Sequence, residues 1–303
     1  MKSIGNTALV ELHSVVPAGC ARIFVKLEWQ NPTGSMKDRM AVATIDRAEK
    51  TGRLKPGDTI VEYTGGSTGA SLAMVCAAKG YNIHVVSSTA FSAEKLTHMQ
   101  AYGAQLTLVP YDGRGITKQV FLDMIEAARN LTAQPNTFWT NQLENPDMAA
   151  GYEAIGDEAW QQSGGRVDAF VQMVGTSHSL RGAATALRRH NERLTVVAVE
   201  PAESAVLSGG TPGAHDIEGV GIGYLPPLWD PSLVDRVVPV STGDAKAMAR
   251  RLAREEGLFA GTSSGANVCA AIEIGKELGP QARVVTLMID SGLKYLSTDL
   301  YKT

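Results

Sequence analysis

The residue best placed for chemistry is Lys37, in the run Asn31-Pro-Thr-Gly-Ser-Met-Lys37-Asp-Arg39. Pro32 and Gly34 break regular structure ahead of it, and the apolar segment Met40-Ala-Val-Ala-Thr-Ile45 follows. The pattern predicts a loop entering a helix, with Ser35 as N-cap. An ammonium at a helix N-terminus meets the positive end of the helix dipole, which disfavours its charged form. A lysine so placed becomes a usable amine for Schiff-base chemistry. Taken alone, the same lysine also reads as a solvated cation on a helix start.

Three turns supply candidate binding groups. Thr64-Gly-Gly-Ser-Thr-Gly69 follows the apolar run Thr59–Tyr63 and leads into helical text. Its glycines free backbone amides and its hydroxyls donate, so it forms a carboxylate or phosphate site, or a tight turn capped by Ser67 or Thr68. Gly175-Thr-Ser-His-Ser179 comes after a second apolar run, and Ile289-Asp-Ser-Gly-Leu-Lys-Tyr-Leu-Ser-Thr298 after a third.

These turns need strands behind them and helices after them. Strands are predicted at Ile23–Leu27, Thr59–Tyr63, Ile83–Val86, Leu106–Val109, Ala169–Val171, Leu194–Val199 and Val284–Met288. Helices are predicted at Ser67–Lys79, Glu94–Tyr102, Val120–Asn130 and Ala245–Glu256. Such alternation predicts an α/β protein with mainly parallel sheets, and ligands in that class bind at the carboxyl ends of the strands. Strands buried on both faces explain apolar runs without clean alternation. The elements fall into two sets, before and after about residue 147. Two domains are expected, dividing at about residue 147.

The chain has 303 residues, 44% hydrophobic and 19% charged, with a net charge of −3. That is ample for a core and gives no electrostatic case for nucleic acid or an anionic membrane. The apolar runs are short of a spanning helix, and Met1-Lys-Ser-Ile-Gly-Asn-Thr7 has no apolar stretch for a secretory leader. Cys20, Cys76 and Cys269 are widely spaced and give neither a disulfide framework nor a metal spacing. Cys76 and Cys269 read as buried small residues, with a catalytic thiol as the rival reading. A reducing, cytoplasmic setting and no metal are expected.

The Lys37 run resembles the cysteine synthase and cystathionine beta-synthase family of fold-type II pyridoxal-phosphate enzymes, which carries Asn-Pro-x-Gly-Ser-x-Lys-Asp-Arg around its cofactor lysine. The resemblance implies two three-layer α/β domains with twisted, mainly parallel sheets, like the tryptophan synthase beta subunit. It implies pyridoxal 5'-phosphate held by Lys37, which also moves the proton at the substrate α carbon. The Lys-Asp-Arg form points to β-replacement on an O-activated serine, such as O-acetylserine, by sulfide or another nucleophile. A smaller mobile domain over 37–147, a larger cofactor-binding domain from 1–36 and 148–303, and a homodimer are implied as well.

The turns extend the resemblance and also depart from it. Thr64, Gly65, Gly66, Ser67 and Thr68 stand where the family has a Thr-Ser-Gly-Asn-Thr-Gly loop for the substrate carboxylate, whose Asn touches the cofactor. Here Gly65 replaces the Ser and Ser67 the Asn. Gly175, Thr176, Ser177, His178 and Ser179 match a Gly-Thr-Gly-Gly-Thr cradle for the cofactor phosphate, with Ser177 and His178 in place of two glycines. His178 reads either as a phosphate donor or as a solvent-facing loop residue.

Ser291 matches the serine that meets the pyridine nitrogen, and by itself reads as a turn residue. Gln142, in Gln142-Leu-Glu-Asn-Pro146, matches a residue that helps hold the substrate carboxylate; a His and paired Thr that usually follow are replaced by Gly151, Ala154 and Ile155. Gly221 lies in Ile217-Glu-Gly-Val-Gly-Ile-Gly223, which resembles the family segment that lines the site and moves on closure. Gly261-Thr-Ser-Ser-Gly-Ala266 and Ile4-Gly-Asn-Thr-Ala-Leu9 also match, so the resemblance spans the chain. Other readings of the scaffold are a specialised β-substituted alanine synthase, a serine or threonine deaminase, and a non-catalytic protein that keeps the fold.

Overall fold

The computed structural model describes residues 1–111 and 118–302. Among them the strands are β1 Leu9–Glu11, β2 Arg22–Leu27, β3 Thr59–Tyr63, β4 Asn82–Ser88, β5 Gln105–Val109, β6 Thr137–Trp139, β7 Ala169–Met173, β8 Thr195–Pro201, β9 Arg236–Val240 and β10 Arg283–Met288. The helices are α1 Lys37–Lys50, α2 Ser67–Lys79, α3 Ala93–Ala101, α4 Lys118–Thr132, α5 Asp147–Ala150, α6 Glu153–Gln162, α7 His178–His190, α8 Thr242–Arg251 and α9 Thr262–Leu278. A π-helical turn, Leu252–Glu256, continues α8.

The chain divides into two compact units. Apart from Met1, one runs from Lys37 to Gly151; the other joins Lys2–Met36 to the chain from Tyr152 onward. The first holds a four-stranded sheet in the order β5-β4-β3-β6, all parallel. Ile60, Val61, Ile83, Val85 and Val86 are buried in it, and α2 and α4 both pack against it.

The second unit holds a six-stranded sheet in the order β1-β2-β10-β7-β8-β9, in which only β1 runs antiparallel to its neighbour. Every residue of β7 is buried. Successive strand residues point to opposite faces, so both faces are covered, as a parallel sheet between helices requires. The α9 helix lies along β10 and β7, and α7 packs on β7 and α6. Each Val, Ile or Leu buried this way contributes roughly 1.5–3 kcal/mol.

The expected strands and helices are all present, β3 and α2 with the expected ends and the others with shifted ones. The structure adds β1, β6, β9, α5, α6, α7 and α9. Ser35 is not at the N-cap of α1, because the helix begins at Lys37 and Ser35 stands one residue too early. Its backbone instead forms an antiparallel bridge with Asp290. Cys76 is buried as expected, but Cys269 is only half-buried. Burial pushes both thiols up to about 12, which removes the thiolate a catalytic cysteine needs.

Candidate active site

In the Lys37–Gly151 unit, α1 and α2 pack side by side. Lys37 is the first residue of α1 and is half-buried. The next residue, Asp38, is fully buried and accepts a 2.6 Å hydrogen bond from the Ser71 hydroxyl on α2. The helix that starts at the lysine is thereby stitched to the helix that follows the Thr64–Gly69 turn.

That turn is held from both sides. Thr64 Oγ1 accepts from Gly66 N–H at 3.1 Å. Thr68 is not a cap for its own helix: its hydroxyl donates to Gln142 Oε1 at 3.0 Å, and Gln142 Nε2 donates to Tyr63 O at 2.7 Å. The N-cap of α2 is Gly66, which has no side chain to offer the first-turn amides. Those amides remain suited to an anion. Thr64, Gly65, Gly66, Ser67, Thr68 and Gln142 are thus brought together within this unit.

The departure at position 65 has a local cause. A Cβ on Gly65 would come within 2.3 Å of the Phe91 ring, and one on Gly66 within 2.4 Å of Lys95 Cδ. The segment entering α3 fills the volume that a side chain on the turn would need. Gly151 is explained similarly, since a Cβ there would meet Met40 Cα at 2.7 Å.

Glu62 escaped the sequence reading, although a carboxylate inside the run Thr59–Tyr63 is a visible signal. It is fully buried and accepts from the Thr140 hydroxyl at 2.7 Å, from Gln142 N–H at 2.9 Å and from Tyr63 N–H at 2.9 Å. It therefore fixes the backbone at Gln142 beside the exit of β3. Burial pushes its carboxyl up to about 7, and these hydrogen bonds oppose the shift without cancelling it.

In the second unit the Gly175–Ser179 turn joins β7 to α7. A Cβ on Gly175 would lie 2.6 Å from Gly219 O, so only glycine fits where the two loops touch. Gly221 N–H donates to Val174 O at 3.3 Å, which draws the Gly219–Gly223 segment against the same turn. His215 Nδ1 accepts from Ile217 N–H at 3.2 Å, so Nε2 carries the proton and donates to Gly221 O at 2.9 Å.

Ser177 holds a left-handed backbone, φ +71°, where the family has glycine. Its Oγ is buried and, among the described residues, has no hydrogen-bond partner. A buried hydroxyl without a partner at the start of a 13-residue helix is suited to an anion that brings its own acceptor atoms. His178 is the first residue of α7 and only 2% exposed, which overturns the solvent-facing reading. Ser179 Oγ accepts from Gln172 Nε2 at 3.0 Å.

Ser291, at the end of β10, is half-buried. Its N–H donates to Gly34 O at 3.0 Å, and its Oγ accepts from Leu293 N–H at 3.3 Å, which leaves the hydroxyl proton to be donated elsewhere. Beside it, Gly261 N–H donates to Asp290 O at 3.2 Å and Ser264 Oγ accepts from Ile289 N–H at 2.9 Å. The Gly261–Ala266 segment thus flanks Ser291. Two further polar residues, Gln172 and Asn267, are fully buried behind the Gly175–Ser179 turn and were not singled out from sequence.

Residues 1–290 match the family described as pyridoxal-phosphate dependent enzyme. A cysteine synthase of Staphylococcus aureus (strain N315) is 43% identical over 300 residues, covering 98% of this chain and 95% of the relative. The crystal structure of a cysteine synthase from Entamoeba histolytica superposes with a TM-score of 0.93 at 37% identity, covering 100% of this chain and 90% of the other. An O-ureido-L-serine synthase superposes with a TM-score of 0.90 at 36% identity, covering 99% and 93%.

Proposed function

The chain belongs to the pyridoxal-phosphate dependent enzymes of fold type II, and from that membership we infer that it catalyses β-replacement on O-acetyl-L-serine, with sulfide giving L-cysteine. Its cofactor is pyridoxal 5'-phosphate. The observation that carries the choice of reaction is Ser291, a hydroxyl and not a carboxylate at the end of β10. A serine O–H donates to an unprotonated ring nitrogen, whereas an aspartate would protonate it. The weaker electron demand suits loss of a β substituent over transamination.

The residues present fit the cofactor, as the unpartnered Ser177 hydroxyl in the turn before α7 argues. Gly175, Thr176, Ser177, His178 and Ser179 would hold the phosphate, Ser291 the ring nitrogen, Ser67 would stand beside the ring, and Lys37 would hold the cofactor covalently. Bound there, the cofactor supplies an electron sink for the substrate α carbon. The Thr64–Thr68 amides and hydroxyls bind the substrate carboxylate, with Gln142 behind Thr68. Lys37 Nζ takes the α proton, acetate leaves the β carbon, the nucleophile adds there, and Lys37 returns the proton. Gly221 and its neighbouring glycines let their segment move against the bound substrate.

The Lys37–Gly151 unit would be the mobile part and the other unit the cofactor-binding part. A homodimer in the cytoplasm is the assembly and setting we favour. Three free cysteines support a reducing compartment, and among the described residues no helix is long and apolar enough to cross a membrane. A specialised β-substituted alanine synthase is the second reading. Gly65 under the Phe91 ring and Ser67 in place of an amide favour it, since both change the space at the carboxylate loop.

The test is a spectral titration of the purified protein with O-acetyl-L-serine, followed by sulfide. A shifted cofactor band that sulfide reverses, with L-cysteine as product, is expected; pyruvate as the main product would establish a deaminase instead. Borohydride reduction followed by peptide mapping should place the cofactor on Lys37. Lys37→Ala should fold but lose about 10²–10⁴-fold in turnover.

A further inference from the structure

Three buried side chains in the second unit have hydrogen-bond directions that can be worked out one from the next. Asn267, on α9, accepts at Oδ1 from Met173 N–H at 2.7 Å, and a backbone N–H can only donate. Its Nδ2 therefore faces the other way, donating to Leu287 O at 2.9 Å and to Gln172 Oε1 at 2.9 Å. That assignment fixes Gln172 in turn. Its Oε1 is the acceptor, so its Nε2 is the donor, and Nε2 lies 3.0 Å from Ser179 Oγ, with Met36 Sδ at 3.9 Å as a further weak contact. A hydroxyl that accepts from Nε2 cannot donate back to it.

We propose that Asn267 and Gln172 are positioning residues that oblige the Ser179 hydroxyl to donate its proton to the cofactor phosphate. This rests on the reading of Gly175–Ser179 as the phosphate cradle. Gln172 and Asn267 are both fully buried in the low-dielectric interior, which makes a reversed arrangement costly. The direction originates at two backbone groups, Met173 N–H and Leu287 C=O, that belong to the sheet and do not rotate. The relay thus passes the fixed polarity of β7 and β10 to a rotatable hydroxyl at the start of α7. The ligand class it selects is a phosphate with acceptor-only oxygens.

The experiment measures cofactor affinity in reconstituted protein by equilibrium dialysis with pyridoxal 5'-phosphate, and the ³¹P resonance of the bound phosphate. Ser179→Ala should weaken affinity about tenfold, the size of one hydrogen bond to a charged group. Asn267→Asp does not alter any atom that touches Ser179. At a pH where the introduced carboxylate is ionised it keeps the acceptor for Met173 N–H but loses the Nδ2 donor, so the Gln172 amide must turn over and take the Ser179 proton. Asn267→Asp should therefore match the Ser179→Ala loss and shift the ³¹P signal in the same direction. The double variant should be no weaker than either single one.

Where Asn267→Asp does not fold, Gln172→Glu makes the same reversal at the next position and carries the same expectation. Parent-like affinity and ³¹P signal in Asn267→Asp or Gln172→Glu, alongside a loss in Ser179→Ala, would overturn the relay and leave the cradle standing. Parent-like behaviour in Ser179→Ala itself would overturn the cradle, and the relay with it.

Discussion

Ser35 and Asp290 face each other across an antiparallel backbone bridge. Met36 N–H donates to Ile289 O at 2.9 Å, and Ser291 N–H to Gly34 O at 3.0 Å. The run that leads into Lys37 and the run that carries Ser291 therefore form one short ladder. Gly34, at φ +72°, passes so close that a Cβ would lie 3.4 Å from Ser291 Cβ. Two segments far apart in sequence are held in register just before the residue at which α1 begins.

Ser291 should report this register spectroscopically. Ser291→Ala removes a hydroxyl that caps the short 3₁₀ turn Gly292–Tyr295, so about 1 kcal/mol of stability should go with it. Turnover should fall while the cofactor stays bound. Ser291→Asp should protonate the ring nitrogen and move the absorbance maximum. Absorbance and turnover equal to the parent in both variants would remove Ser291 from the site.

Ser177→Gly should move two quantities in opposite directions. Glycine adopts φ +71° without the cost of roughly 1–2 kcal/mol that a side chain meets there, so the cofactor-free protein should gain about 1 kcal/mol. Loss of the hydroxyl should weaken pyridoxal phosphate binding about tenfold. Thermal melts of the apoprotein and equilibrium dialysis read the two effects separately. A variant that is less stable, or that binds the cofactor as the parent does, would contradict the assignment.

Gly65 and Phe91 should behave as a matched pair. Gly65→Ser forces a side chain into the Phe91 ring and should cost about 1–3 kcal/mol, with a higher KM for the amino acid. Phe91→Ala added to Gly65→Ser should restore part of both losses. Purely additive effects in this double-mutant cycle would mean that the ring does not govern the turn.

Glu62 sets a pH dependence of stability with a definite sign. Burial holds its carboxyl at about 7 in the folded state against an ordinary 4.5, so the folded state favours the protonated form. The associated stability is fully present below pH 4.5 and is lost as pH rises through about 7. The shift corresponds to a loss on the order of 3 kcal/mol over that window. Glu62→Gln carries no titrating proton, and its denaturation midpoint should vary less between pH 5 and 8 than that of the parent.

The parallel strands were legible because their apolar runs have one cause, burial on both faces. Thr59–Tyr63 and Ser67–Lys79 have the same ends in sequence and structure. β9 was hidden by Pro239, which a central strand would exclude but an edge strand tolerates, and β9 lies at the edge. The glycine-rich turns could be found from their own residues. The reasons for their departures could not, since Gly65 answers to Phe91 and Gly151 to Met40. The same holds for the Gln172–Asn267 pair, whose members are 95 positions apart and look like ordinary polar residues in apolar text.

The strand order of the larger sheet has a consequence for how the protein is made. β10, translated after every other strand among the described residues, belongs between β2 and β7, pairing Arg283 with Arg22 and Val284 with Ala169. The Lys37–Gly151 unit can close its sheet on residues already synthesised, whereas β2 must wait for Arg283–Met288. Until then β2 and β7 each present an unpaired edge, a template for wrong partners. A nascent chain halted before residue 283 would carry one finished sheet and one split down its middle.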